Sequence, residues 1–410
     1  MINKNGDKQA VPCSEVCDKA QAMLCCSEKL PSIPLASDED RQKFLNITRD
    51  KYYTMVNESQ PLFCWFSLTE ECDLRCKYCF ADSTKPLEHE LSTRECYQVL
   101  DNIEESGTTA VLFGGGECTL REDLLQIVDY AANKKGLFVG INTHGHKLVD
   151  RLFVQSLKLA GVSQIKIAVD GLQESHDWNR GKGAYAKCMQ ALQNCVDVGI
   201  ESVQAIATIS KKNHAEVPEM IKRDTEMGIT SAQFPLLPVG RGKQCKNLML
   251  SKEELRDWQQ YMFEQQKIHG VYSIQTEDRY QITEAKGALM VAANPDRNQG
   301  YGDTPAGCIC GIWSYAISAD GKAYIGCTIT PELEICNLKE QKLSDVWHNS
   351  ELIKLMRDRD QLKGKCGRCE YRFVCGGCRR MTFAETGDLK AEDPACWYKP
   401  LMNSRVGVEP

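Results

Sequence analysis

Between residues 62 and 240, strand-like and helix-like stretches alternate six times, which commits most of the chain to a parallel α/β arrangement. The strand-like runs fall at 62–69, 109–113, 138–142, 164–169, 202–208 and 232–237. Helical stretches lie between them at 121–134, 149–160, 184–198 and 215–227, and Ser92 with Glu95 forms a capping box opening a helix toward Glu105. Catalytic groups in such a fold sit at the C-terminal ends of the strands. Before the repeats, residues 1–60 read as polar and irregular, with Cys13, Cys17, Cys25 and Cys26 as free thiols. After them, Ser251 and Glu254 open a helix to about Ile268, and 284–307 reads as a loop-rich connection. From Cys308 the character changes. Nine cysteines fall within 308–396, with little periodic structure beyond a helix near 344–357. A segment this rich in cysteine gains much of its fold from metal rather than from apolar burial.

The chain has 410 residues and a formal charge of −6, which excludes a basic nucleic-acid footprint or a polybasic membrane anchor. The N-terminus has no apolar h-region and no 18-residue apolar run occurs, so the expectation is no membrane segment and a cytoplasmic location. In that reducing compartment, 22 cysteines mean metal more than disulfides.

Cys72-x3-Cys76-x2-Cys79 follows the first strand. Three thiolates on a short loop hold three corners of a [4Fe–4S] cluster and leave one iron open to a ligand. Zinc would want a fourth ligand at its own spacing. Phe113-Gly114-Gly115-Gly116-Glu117 ends the second strand. Its glycines permit close backbone approach, and Glu117 offers acceptors for an ammonium group.

With Tyr78 before the last cysteine, these two motifs resemble those of the radical S-adenosylmethionine (SAM) superfamily. The resemblance implies a partial (β/α)6 TIM-like barrel, in agreement with the six repeats. It implies that the open iron is chelated by SAM and that reductive cleavage yields a 5′-deoxyadenosyl radical. It further implies SAM contacts from Tyr78, Gly115, Gly116, Glu117, Asn142, Asp170 and Arg180. Two positions depart from the family pattern: Cys118 stands where proline usual to the motif would be, and Ala168 replaces a serine.

The C-terminal run Cys366-x2-Cys369-x5-Cys375-x2-Cys378, with Cys396 beyond it and Cys308, Cys310, Cys327 and Cys336 before it, is similar to the SPASM extension of that superfamily. That likeness implies a small cysteine-rich iron–sulfur domain with two auxiliary [4Fe–4S] clusters. One is held by Cys366, Cys369, Cys375 and Cys396. The other is held by Cys308, Cys327 and Cys378, with Cys310 and Cys336 competing for its fourth place. The resulting division is an extension at 1–61, a barrel at 62–240, a helical and loop bridge at 241–305, the auxiliary-cluster domain at 306–400 and a tail at 401–410.

Other residues receive plainer readings. Cys64, Cys96, Cys188, Cys195 and Cys245 read as core thiols. Cys118 lies close enough to Glu117 to be a functional candidate. His144 and His146 read as solvated loop histidines, Trp313 and Tyr315 as shields for a cluster, and Lys354–Asp360 as a solvated helix face.

The leading functional expectation is oxidation or crosslinking of a peptide or small protein, since auxiliary clusters accept the electron a net oxidation releases. Its reducing partner would be a flavodoxin or ferredoxin. The alternatives are tetrapyrrole or other cofactor biosynthesis, maturation of an enzyme active-site residue, and non-catalytic electron carriage.

Overall fold

The computed structural model describes residues 37–276, 279–280 and 307–401. The four N-terminal cysteines, most of the loop-rich connection and all but the first residue of the tail lie outside the described residues.

Six parallel strands form the expected series: β1 (Phe63–Thr69), β2 (Ala110–Gly115), β3 (Phe138–Thr143), β4 (Gln164–Ala168), β5 (Ser202–Ile209) and β6 (Thr230–Pro235). Each pairs with its neighbour in order. In β1 the alternate residues Cys64, Phe66 and Leu68 are buried, while β2 and β3 are apolar almost throughout, as sheets covered on both faces require. A short β7 (Ile274–Gln275) extends the series in parallel beyond β6.

At the opposite edge the sheet does not stop at β1. Strand β8 (Ser314–Ile317) pairs parallel with β1, and β9 (Lys322–Ile325) and β10 (Glu334–Asn337) follow antiparallel. One ten-stranded sheet therefore runs β10-β9-β8-β1-β2-β3-β4-β5-β6-β7. The turn at Asp320–Gly321 is the hairpin between β8 and β9, with Gly321 at φ +90°.

The helices confirm some expectations and alter others. Capping boxes at Ser92/Glu95 and Ser251/Glu254 open helices Thr93–Glu105 and Lys252–His269. The stretch expected as one helix over 121–134 begins only at Leu124 and widens into a π turn at Tyr130–Lys134. Arg121 is held back by its bonds to the Leu68 and Leu91 carbonyls and by its ion pair with Asp123. The helix expected over 344–357 is two, Leu343–Trp347 and Glu351–Arg357.

The N-terminal region departs furthest from its sequence reading. Residues Asp38–Glu58 form a 21-residue helix, α1, opened by a Ser37/Asp40 capping box. Phe44, Leu45, Thr48, Tyr52 and Val56 make a narrow buried stripe along it. That stripe packs on Ile312, Trp313, Tyr371, Phe373 and Val374, which lie more than 250 residues away in sequence. No helix among the described residues is long and apolar enough to cross a membrane.

Candidate functional site

The three-cysteine loop leaves the C-terminal end of β1 and is bound on two sides. On one side stands Glu117, just past β2 and fully buried. Its Oε1 accepts from Thr119 Oγ1 at 2.6 Å and Thr143 Oγ1 at 2.7 Å, and its Oε2 accepts the His144 backbone N–H at 2.8 Å. The His144 ring bridges back to the loop, with Nε2 2.7 Å from Asp73 Oδ1 and 3.2 Å from Glu117 Oε2. His144 Nδ1 accepts the backbone N–H of His146 at 3.1 Å, so the ring proton sits on Nε2, between the two carboxylates.

Gly115 and Gly116 serve a close approach of backbones. A Cβ at Gly115 would stand 2.3 Å from the Thr69 carbonyl oxygen, and one at Gly116 2.1 Å from that of Glu71. The amides of Gly116 and Glu117 donate to those same two carbonyls at 2.7 Å, pinning the root of the loop to the end of β2.

On the other side the loop meets β4 and the segment after β6. Asp170, just past β4, accepts from Arg180 Nε at 2.7 Å, Asn179 Nδ2 at 2.8 Å and the Thr208 amide at 2.9 Å. Burial pushes its acidity the other way, yet Arg180 and the Thr208 amide hold its carboxyl below the usual range. Arg180 Nη1 reaches Cys76 Sγ at 3.7 Å, and Tyr78 is buried beside this pair. Arg241, which sequence reasoning missed, donates its Nε to the Cys76 carbonyl at 2.8 Å and its backbone N–H to the Cys79 carbonyl at 2.9 Å. Gly240 before it has φ +55°, and a Cβ there would meet the Phe80 carbonyl oxygen at 2.4 Å. The Gly240-Arg241-Gly242 tripeptide after the last repeat was the available signal.

The donor set fits a multi-iron cluster better than one ion. Thiolates about 2.3 Å from a tetrahedral metal stand roughly 4 Å apart. Among the described residues, the only three or more metal-ligand atoms found within 4.8 Å of one another belong to Cys72, Asp73 and His144, not to the three thiols. Burial pushes the Cys72 thiol up to about 11 and raises that of Cys76, so metal binding itself must draw off their protons. Asn142, at the C-terminal end of β3, presents a buried Oδ1 with no protein partner, which a ligand's donor would satisfy.

The C-terminal cysteines gather in two places. Cys366, Cys369, Cys375 and Cys396 line one cavity of about 390 Å³, together with Arg279 and Lys365. Backbone amides of Asp393 and Gly377 donate to the Cys366 and Cys375 sulfurs at 3.3 and 3.4 Å. In the second place Cys310 stands beside both Cys308 and Cys327, close enough to interact with each thiol. Proximity to Cys310 is the main cause lowering the thiols of Cys308 and Cys327, while that of Cys310 rises well above its ordinary value. Cys308 also accepts the amide of Arg379, the residue after Cys378. Cys336 lies apart, buried on β10 in the main core. The structure thus brings Cys310, and not Cys336, beside Cys308 and Cys327.

Several plainer expectations change. His144 is only 5 % exposed, because Glu117 and Asp73 draw it inward; it is not a solvated loop histidine. The run Lys354–Asp360 is not a solvated face either. Arg357 and Arg359 are buried, Arg357 Nε donating to the Gly311 carbonyl and Arg359 Nη1 to the Phe373 carbonyl, each at 2.7 Å. Cys245 is half-buried against the Lys77 carbonyl, at 3.5 Å, rather than in the core. Cys64, Cys96, Cys188 and Cys195 are buried core thiols as expected. Cys118 joins them, its thiol donating to the Asn142 carbonyl at 3.6 Å. Tyr315 is buried in the sheet and bonds Thr108 at 2.9 Å, whereas Trp313 packs under α1.

Residues 66–223 match the family model described as the Radical SAM superfamily, and 308–370 match the SPASM iron–sulfur cluster-binding domain. The chain is similar to the AdoMet-dependent heme synthase of Methanosarcina barkeri, at 30% identity over 84% of this chain and 98% of that protein. It is 28% identical to the mycofactocin maturase MftC of Mycolicibacterium smegmatis, over 85% of this chain and 87% of that one. Among solved structures it resembles Streptococcus suis SuiB bound to S-adenosylmethionine. The TM-score is 0.64 at 17% identity, over 90% of this chain and 85% of SuiB. SuiB bound to precursor peptide SuiA gives the same TM-score of 0.64, at 16% identity, over 93% and 86% of the two chains.

Proposed function

This chain belongs to the radical SAM superfamily and carries its SPASM iron–sulfur region, and we propose that it is an oxidising enzyme acting on a haem-type tetrapyrrole. It binds a [4Fe–4S] cluster with SAM, and auxiliary iron–sulfur clusters in the SPASM region. Reductive cleavage of SAM at the first cluster supplies a 5′-deoxyadenosyl radical that abstracts hydrogen from the substrate.

The chain's own residues prepare that site. Cys72, Cys76 and Cys79 hold the cluster. Glu117, through His144, fixes Asp73 and with it the start of the loop. Arg180, neutralised by Asp170, stands at the Cys76 sulfur and stabilises negative charge there. Asn142 Oδ1 accepts from SAM. Cys366, Cys369, Cys375 and Cys396 hold one auxiliary cluster. Cys308, Cys310, Cys327 and Cys378 would hold the other, which would supply an acceptor for the electron a net oxidation releases.

One observation carries the tetrapyrrole reading: the likeness to the haem synthase spans 98% of that protein, so both lie within the same set of domains. Motifs alone put a peptide first, and a peptide remains the second reading, favoured by the 28% identity to the mycofactocin maturase. Within the described residues, α1 packs its apolar stripe on the auxiliary region.

The test is anaerobic reconstitution with SAM and a strong reductant, followed by assay of 5′-deoxyadenosine. Iron-bound tetrapyrroles should accelerate its formation and emerge with altered mass. Acceleration by peptides alone would move the assignment to the second reading. A cluster-replete protein that makes no 5′-deoxyadenosine with any substrate would end the radical mechanism.

A further inference from the structure

The small cleft beside Cys308 and Cys310 is walled by a helix that lies outside both matched domains. Its lining includes Tyr52 from α1, Arg359, Arg379, Met356 and Gly376. Tyr52 is fully buried, and its hydroxyl donates to the Arg357 carbonyl at 2.8 Å. The Arg359 guanidinium lies 4.3 Å from the centre of the Tyr52 ring. Arg359 is 4 % exposed, and it donates to the carbonyls of Phe373 at 2.7 Å and Cys308 at 3.3 Å.

The opposite wall is shaped around this guanidinium. Gly376 has φ +69°, and a Cβ there would stand 2.7 Å from Arg359 Cζ. A side chain at position 376 would crowd the guanidinium out of this place, and the left-handed φ disfavours one as well. Meanwhile α1 is fastened over the cavity by three polar ties: Arg49 to Asp360 at 2.8 Å, Tyr53 to Asp358 at 3.2 Å, and the Tyr52 bond to Arg357. A cation held by carbonyl dipoles and an aromatic face, one residue from a thiolate cluster, favours the more negative, reduced state of that cluster.

We propose that Tyr52 and Arg359 close the α1 side of the Cys308–Cys310–Cys327 cluster site, α1 keeping water and substrate from that side and the guanidinium raising its reduction potential. The cluster is then an electron acceptor shielded on the α1 side, and substrate does not reach it from there. Both residues act through the cluster, as positioning and tuning residues. The inference rests on the reading that these cysteines hold an auxiliary cluster.

The test uses the full chain with Cys72, Cys76 and Cys79 replaced by alanine, reconstituted without air. The electron paramagnetic resonance signal followed is the one lost in Cys308→Ala. Arg359→Met should lower the reduced-to-oxidised ratio at the parent midpoint about tenfold, a shift of about 59 mV for one electron. Arg359→Lys, which keeps the charge, should recover most of that shift. Tyr52→Ala should bleach in air about fivefold faster than the parent, while Tyr52→Phe keeps the parent rate because the ring remains. Unchanged potential and bleaching in Arg359→Met and Tyr52→Ala at full iron content would overturn the proposal. So would loss of iron in Tyr52→Phe or Arg359→Lys, because the pair would then merely hold the fold. A parent chain with no Cys308-dependent iron would instead remove the cluster assignment itself, a result the iron count separates from the other two.

Discussion

His176 lies wholly inside the barrel wall, where its Nδ1 accepts the Asp170 backbone N–H at 3.1 Å and Cys188 Sγ stands 3.6 Å from Nε2. Burial, aided by the nearby Arg180 charge, pushes its pKa from 6.5 down to about 4. His146 is pushed to about 4 as well, by burial and by its neighbour His144. In the unfolded chain both titrate near 6.5. Between about 6.5 and 4 the unfolded chain therefore binds more protons, and acid favours unfolding. The histidine contribution is complete above about 6.5 and is lost as the pH falls toward about 4. The melting temperature should accordingly drop over that window. His176→Asn places an acceptor near the position of Nδ1 without a titrating group, so it should melt with a visibly shallower dependence on pH. Acid loss of clusters is common to both proteins and cancels in the comparison. Equal slopes for the two would mean that His176 titrates normally in the fold. At this scale the sequence was half legible. The cysteine spacing and the Gly-Gly-Glu run were readable because they are contiguous. The inward turn of His144 was not, since it depends on Asp73 and Glu117 meeting across two strand ends.

Element by element, the six barrel strands were the readable part, because each is a short apolar run bounded by turns. The helix α1 was not, for a physical reason. Only five of its 21 residues are buried, and the partners that make those five matter are Trp313, Phe373, Tyr371 and their neighbours, far along the chain. Most helix stability comes from such packing rather than from propensity. Leu45→Ala and Val56→Ala should each cost about 1–4 kcal/mol through lost burial and the cavity left behind. The loss should fall on the auxiliary region and not on the barrel. Urea unfolding followed by Trp fluorescence, with iron counted in parallel, measures both. Full stability with wild-type iron in the double variant would show that α1 is dispensable. The buried arginines were misread on the same grounds: Arg357 and Arg359 look solvated in a charged run, and the carbonyls and aromatic rings that receive them, Gly311 and Trp347 for one, Phe373, Cys308 and Tyr52 for the other, come from other segments of the chain.

At the scale of the whole molecule, the cysteine-rich C-terminal region is two kinds of structure. Strands β8, β9 and β10 continue the barrel sheet, and Tyr315, Ile317 and Ile325 belong to the main hydrophobic core together with Phe66, Val111 and Phe113. Residues 364–401, by contrast, contain only short helices, and the pockets among them are lined by cysteine sulfur where apolar side chains would otherwise stand. The expectation that metal supplies the fold therefore divides between these two parts. Backbone bonds to β1 hold the β8 edge whether or not iron is present. Around Cys366, Cys369, Cys375 and Cys396, where we place an auxiliary cluster, no sheet bonds stand in for it, and sulfurs stripped of iron would lose packing partners. Removal of iron by a chelator without air should thus raise amide hydrogen exchange in 364–378 and 393–401 by orders of magnitude, while 314–317 and 322–325 stay protected. Local opening reads out in this way as a contiguous unit with its own stability. Exchange that rises equally in both parts would mean that the sheet edge, too, depends on the clusters, and that the barrel ends at β1 in energy although it does not end there in hydrogen bonds.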